Sequence, residues 1–266
     1  MKKILLTLGS IGIAVALVPL FAAFEAHVIN VTARIENALL VKTDPISFGT
    51  VFPQEHLERP LEVWLSDSFK TELRVDDVNY FIRQKPKCGV TTNDGKTLAG
   101  PTGTGHVIPN VATPAPDDYT IECGPAPRPL VQGETWAVLP SLCPYLSKHG
   151  DNAPDNDGDM PPFHQPFTVN VDEVLWNDTK GRLAKSEQDE HDRWIIDLAV
   201  PCFGGHCAQD WAKFVHDHNP DPAVNPDDYD QDIANEHKIF GCDLWVEVSD
   251  VSETPPPPPP PPTGDL

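Results

Sequence analysis

The chain has 266 residues, 39% of them hydrophobic, with 30 prolines, 17 glycines and a formal charge of −21 at pH 7. That apolar content can supply a core and argues against global disorder. The acidic balance excludes nucleic acid and anionic membrane surfaces as partners held by charge, and the many prolines and glycines leave few helix-favouring runs, so an all-β sandwich with long loops is expected.

Lys2 and Lys3 form a charged start, residues 4–18 an apolar stretch, and residues 19–26 a zone of small side chains. Together they read as an export signal over 1–25 rather than a membrane anchor, because the apolar run is short and no stop-transfer pattern follows. No clean Ala-x-Ala fixes the cleavage point between Ala22 and Ala26. Loss of the two lysines takes the formal charge from −21 to −23. No later stretch is apolar enough to span a bilayer, so no transmembrane anchor is expected in the mature chain.

In the next segment Ile29, Val31, Ala33 and Ile35 alternate with Asn30, Thr32, Arg34 and Glu36. A period of two marks a half-buried strand. Its apolar side must be buried either in the chain's own sheet or in a gap in a neighbour's. Residues 46–52 and 61–65 read as further strands, followed by 78–83, where Val78, Tyr80 and Ile82 share a face. Residues 86–129 are dense in Gly, Pro, Thr and Asn and read as a surface excursion pinned by disulfides, with only 119–122 extended.

Residues 136–139 form a short apolar run, and 142–146 a candidate helical turn. Residues 167–176 and 194–200 alternate again as strands. Ala208, Trp211, Ala212 and Val215 recur at helical spacing, which makes 208–216 the one convincing helix, within a second excursion over 201–238. A last strand over 242–248 places Cys242, Leu244, Val246 and Val248 on one face. The sandwich domain is thus expected over 26–250. Residues 251–266 form a tail whose run of prolines, 255–262, adopts polyproline II and extends roughly 25 Å at about 3.1 Å per residue.

Six cysteines behind an export signal point to disulfides rather than metal thiolates. Cys202 and Cys207 bracket a Phe-Gly-Gly-His turn that can close a local bridge. Cys88, Cys123 and Cys143 lie in one loop-rich region and should supply another, with the partner of Cys242 open. Asp155, Asp157 and Asp159 alternate around Gly158 as oxygen ligands of a calcium loop do, though the EF-hand spacing is not met; a solvated acidic turn explains them as well. His206, Cys207, Asp210, His216 and His218 gather near the helix without the His-Glu-x-x-His of a zinc protease. There is no Gly-x-Ser-x-Gly elbow, phosphate loop or dinucleotide fingerprint. Calcium is therefore the one cofactor with a candidate site, and no enzymatic activity is expected.

The segments FEAHVINVTARIENAL and ISFGTVFPQE…LEVWLSDSF, with the later WIIDLAVPCFGGHCAQDW and FGCDLWVEVSDVSE, resemble the TasA/camelysin family of secreted β-sandwich proteins. The resemblance implies a jelly-roll-like sandwich, here with a short helical insertion. It also implies a homopolymeric fibre of the extracellular matrix or cell surface, in which the N-terminal strand of one subunit completes the sheet of the next. Carried onto this chain, the donor is Ile29, Val31, Ala33 and Ile35. The alternatives are a monomeric calcium-dependent adhesin that contacts matrix or cell-surface components and, from the camelysin branch, a metallopeptidase.

Overall fold

The computed structural model describes residues 34–42, 44–110, 118–151 and 156–253, with backbone alone at Glu253. The chain divides into two units, Met1–Glu36 and Asn37–Leu266. Of the first, only Arg34–Glu36 is described, with an Arg34–Glu36 ion pair and a solvent-exposed Ile35.

Two three-stranded antiparallel sheets face each other in the second unit. One has the order β1 (Leu39–Val41), β2 (His56–Leu65), β12 (His191–Ala199); the other has β11 (Thr179–Ala184), β3 (Val75–Lys85), β13 (Asp243–Glu253). Alternation decides which side chains enter the core. Leu61, Val63 and Leu65 of β2, Val78, Tyr80 and Ile82 of β3, and Trp194, Ile196 and Leu198 of β12 interdigitate between the sheets, almost wholly buried. The phenol of Tyr80 crosses the gap. Its hydroxyl donates to the Asp192 carboxyl and accepts from Trp194 Nε1 at 2.8 Å. Aligned layers with an apolar interior define an all-β sandwich.

One flank of the sandwich is closed. Residues 146–149 bridge to β12 through Leu146–Leu198 and His149–Ile195, Lys148 pairs with Met160, and Asp157 pairs with Lys180 of β11. A third sheet, β5 (Leu98–Thr104), β4 (Lys87–Thr92), β8 (Glu134–Val138), continues from β3. Two hairpins complete the strands: β6 (His106–Pro109) with β7 (Tyr119–Glu122), and β9 (Phe167–Asn170) with β10 (Glu173–Trp176). Helix α1 (Asp67–Thr71) is capped by Ser66, whose hydroxyl accepts from Phe69 N at 3.1 Å, and inserts Phe69 into the core. Helix α2 (Trp211–His218) buries Trp211 and Val215 beside Phe163, a ring ringed by Tyr145, Trp211 and Tyr229. Disulfides join Cys88 to Cys123, Cys143 to Cys242 and Cys202 to Cys207.

Four sequence expectations need correction. Residues 46–52 form no strand: Pro45 precedes them, Gly49 has φ +72°, and Ile46, Phe48 and Val51 pack on the core as irregular chain instead. Residues 86–129 are not a loop excursion but hold β4 to β7, because glycines let backbone approach side chains closely. A Cβ on Gly103 would sit 3.2 Å from Trp136. Residues 167–176 are two strands rather than one, reversing at Val171, whose φ of +52° is the left-handed turn conformation. The helix starts at Trp211, after a turn over 208–210. The signal segment, Ile29, Val31, Ala33, Asp155 and the proline run lie outside the described residues.

Candidate functional site

The flank opposite the closed one is open among the described residues. Strand β13 has 11 residues and, among the described residues, pairs on one side only, with β3. Leu244, Val246, Val248 and Val251 stand opposite Gln84, Ile82, Tyr80 and Val78, all of them core positions. Directly opposed residues of an antiparallel pair point to the same face. Leu244 and Val246 pack against the core, yet Val248 is 39% exposed and Val251 37%.

The facing sheet has the same defect. Strand β1 is only 3 residues long and covers Val63–Leu65 of β2; Val41, opposite the fully buried Val63, is 42% exposed. These gaps lie at one level. Val248 is opposite Tyr80, Tyr80 bonds to Asp192, Asp192 is opposite Val63, and Val63 is opposite Val41. Inward-facing valines thus meet water on both sides of one seam, beside the row of backbone N–H and C=O groups that an edge strand presents. A further strand laid along β13 would cover the valines and satisfy the edge together.

The first of two titratable centres sits at the β2–β12 end. His56 Nε2 lies 2.7 Å from Asp197 Oδ2 and His149 Nε2 lies 3.2 Å from Asp197 Oδ1, with the His218 ring packed on His56 at 4.6 Å. Burial pushes the Asp197 carboxyl up, but the hydrogen bonds from His149 and His56 outweigh it and hold it below its ordinary range. The hydrogen bond to Asp197 raises His149. The cluster can hold and release a proton, but it has no thiol nucleophile, since all six cysteines are bridged. Four separate segments build it, so no local spacing announces it.

The second centre is Asp192, fully buried, which accepts from Tyr80 Oη and from Asn156 Nδ2 at 3.2 Å. Burial, then the charges of Asp189 and Asp151, push it up to about 7.

The remaining expected site residues do not come together. Asp157 is exposed and pairs through its backbone with Lys180, while Asp159 Oδ1 accepts from Gly150 N at 3.3 Å. Cys207 is committed to its disulfide, Asp210 Oδ1 accepts from Gln54 Nε2 at 3.3 Å, and His206 and His216 are exposed apart from His218, whose Nδ1 meets Phe214 O. Among the described residues no group of three or more His, Cys, Asp or Glu converges as metal ligands.

Comparison with protein-family models, with curated proteins and with solved structures gives no match. What the described residues define is a disulfide-bonded all-β sandwich with one flank left open among them. Three bridges fit an oxidising, exported environment. No helix among the described residues is long and apolar enough to cross a membrane.

Proposed function

We propose that the protein is a secreted structural subunit that polymerises by strand donation. The segment carrying Ile29, Val31, Ala33 and Ile35 of one copy lies along β13 of the next and fills the seam at Val41, Val248 and Val251. The observation that carries this reading is the open flank: inward-facing valines half exposed on both sheets, beside an 11-residue edge. The alternating segment precedes the sandwich unit in sequence and has the apolar period the seam requires.

Each Ile or Val fully removed from water contributes about 1.5–3 kcal/mol, and each ladder hydrogen bond a net 0.5–1.5 kcal/mol or so. These gains stand against about 1–2 kcal/mol of backbone ordering for each donor residue fixed, so the reading needs both the apolar seam and the ladder.

Two one-sided variants of the mature chain test it: deletion of residues 27–36, which removes the donor, and Val248→Asp with Val251→Asp, which spoils the acceptor. Each alone should give monomers by electron microscopy and sedimentation. Mixed, they should form one-to-one dimers and nothing longer, because one good donor meets one good acceptor. Filaments from either variant, or no dimer on mixing, would refute strand donation. Unfolding of the deletion variant would place the strand in its own chain's sheet.

A further inference from the structure

Among the described residues no element packs over the outer face of the β11–β3–β13 sheet, and aromatic and charged side chains alternate along it. Along β3 the outward residues are Asn79, Phe81, Arg83 and Lys85. On β13, Trp245 stands opposite Arg83 and Glu247 opposite Phe81; on β11, Lys180 stands opposite Phe81. Trp245 is 41% exposed, and Phe81 and Trp176 are half-buried. Phe81 and Trp245 are diagonal neighbours, about 7–8 Å apart in an antiparallel sheet. Lys85 Nζ sits 3.9 Å from the Trp245 ring and 5.7 Å from that of Trp176, so a single ammonium spans the two indoles. Three aromatic rings thus run obliquely across one flat face.

The charges between the rings are already spent on one another. Arg83 lies 3.8 Å over the Phe81 ring while bonding Asp178 at 3.1 Å and Glu247 at 3.3 Å. Arg182 bonds Asp77 and Glu187. These pairs hold the rings in place and offset the two guanidinium charges between them. Beside Phe81 opens a cleft of about 630 Å³, lined by Asn79, Asp157, Lys180, Arg182, Ser249 and Asp250. That volume is in the range of small-ligand sites. Its wall mixes carboxylate acceptors, an amide, a hydroxyl and cationic donors at close quarters.

We propose that this face binds a neutral polysaccharide, one sugar unit in the Phe81 cleft and the chain continuing over Trp245 toward Trp176. Sugar rings present weakly polar C–H faces that lie on aromatic rings, with a rim of hydroxyls that both donate and accept. A wall of side-by-side donors and acceptors suits such a rim. The net charge of the chain repels a polyanion. The proposal stands apart from strand donation, which uses the edge of β13 and not its outer face.

Affinity electrophoresis of the full mature chain tests it, with hydroxyethylcellulose, galactomannan and laminarin as neutral polymers and polygalacturonate and chitosan as charged ones. At least one neutral polymer should retard the protein. Trp245→Ala and Asp250→Ala should each weaken that retardation tenfold or more, whereas Trp64→Ala, on the other sheet, should leave it unchanged. Trp245 and Asp250 are exposed, and an unchanged circular dichroism spectrum will confirm folding. Retardation by charged polymers only, by none, or equally in the Trp64 and Trp245 variants would overturn the proposal. So would self-association that the Trp245 variant abolishes, which would make the face a contact between copies.

Discussion

Replacing Asp192 by asparagine should stabilise the protein in alkaline solution and leave it nearly unchanged in acid. Asp192 is fully buried between the sheets, and burial holds it at about 7 despite the hydrogen bonds from Tyr80 and Asn156. An unfolded aspartate titrates near 3.9. Between roughly pH 4 and 7 the native chain therefore keeps a proton that the unfolded chain has lost. Stability falls as pH rises through that window and flattens above it. At about 1.36 kcal/mol per pH unit the full difference is roughly 4 kcal/mol, and relaxation around the charge makes 2–4 kcal/mol the expected range. That is a sizeable part of a typical net stability of about 5–15 kcal/mol. Asparagine stays neutral, and its carbonyl can still accept from Tyr80. Urea unfolding followed by tryptophan fluorescence, with disulfides intact, should show the variant within about 1 kcal/mol of wild type at pH 4. At pH 8.5 it should exceed wild type by about 2–4 kcal/mol. A difference that does not change with pH, or a variant weaker at pH 8.5, would refute the argument, since either means that Asp192 is ionised and well solvated in the fold.

Two further perturbations follow from neighbouring geometry. His149→Gln should cost about 1 kcal/mol or less, discounted because the imidazole is 39% exposed, with the cost largest between about pH 4 and 6.5. The raised histidine contributes fully below its unfolded value and fades as pH rises through its folded one, and the lowered Asp197 contributes above its own unfolded value and fades as pH falls, so thermal melts across pH should show the loss peak in that window and decline on either side. Gly181→Ala should destabilise by about 1–3 kcal/mol or more, because its Cβ would fall 2.3 Å from Tyr80 Cζ and force that buried ring off Asp192; a melting temperature equal to wild type would show that the ring has room to move.

The sandwich was legible where a strand has one wet and one dry face. Val78, Tyr80 and Ile82 announce β3, and Trp194, Ile196 and Leu198 announce β12, because burial on one side imposes a period of two. The same rule fails where pairing does not depend on apolar side chains. Strand β5 is built from LAGPTGT and is held by the backbone of β4, so composition makes it look like loop. Alternation also hid a reversal at Val171, since the period runs unbroken through a tight turn. The Cys202–Cys207 bridge could be read from its Gly-Gly turn, but Cys143 with Cys242 could not, because their approach depends on the register of β13. The open flank is of this second kind: nothing near Val41 or Val248 in sequence says that the two lie at one level.

The strand order also dictates when the molecule can fold. Strand β3 is complete by Lys85, but its partners are β11, from Thr179, and β13, from Asp243. Strand β2 likewise waits for β12. A chain emerging from its amino end therefore carries the central strand of each sheet through most of its synthesis with an edge unsatisfied. The only whole three-stranded sheet among the described residues that can close early is β5–β4–β8, whose strands lie within Lys87–Val138. The sandwich is assembled last, and its completion awaits the final tenth of the chain; stopping synthesis before β13 would leave one edge of β3, whose Val78, Tyr80 and Ile82 belong in the core, as a long sticky border.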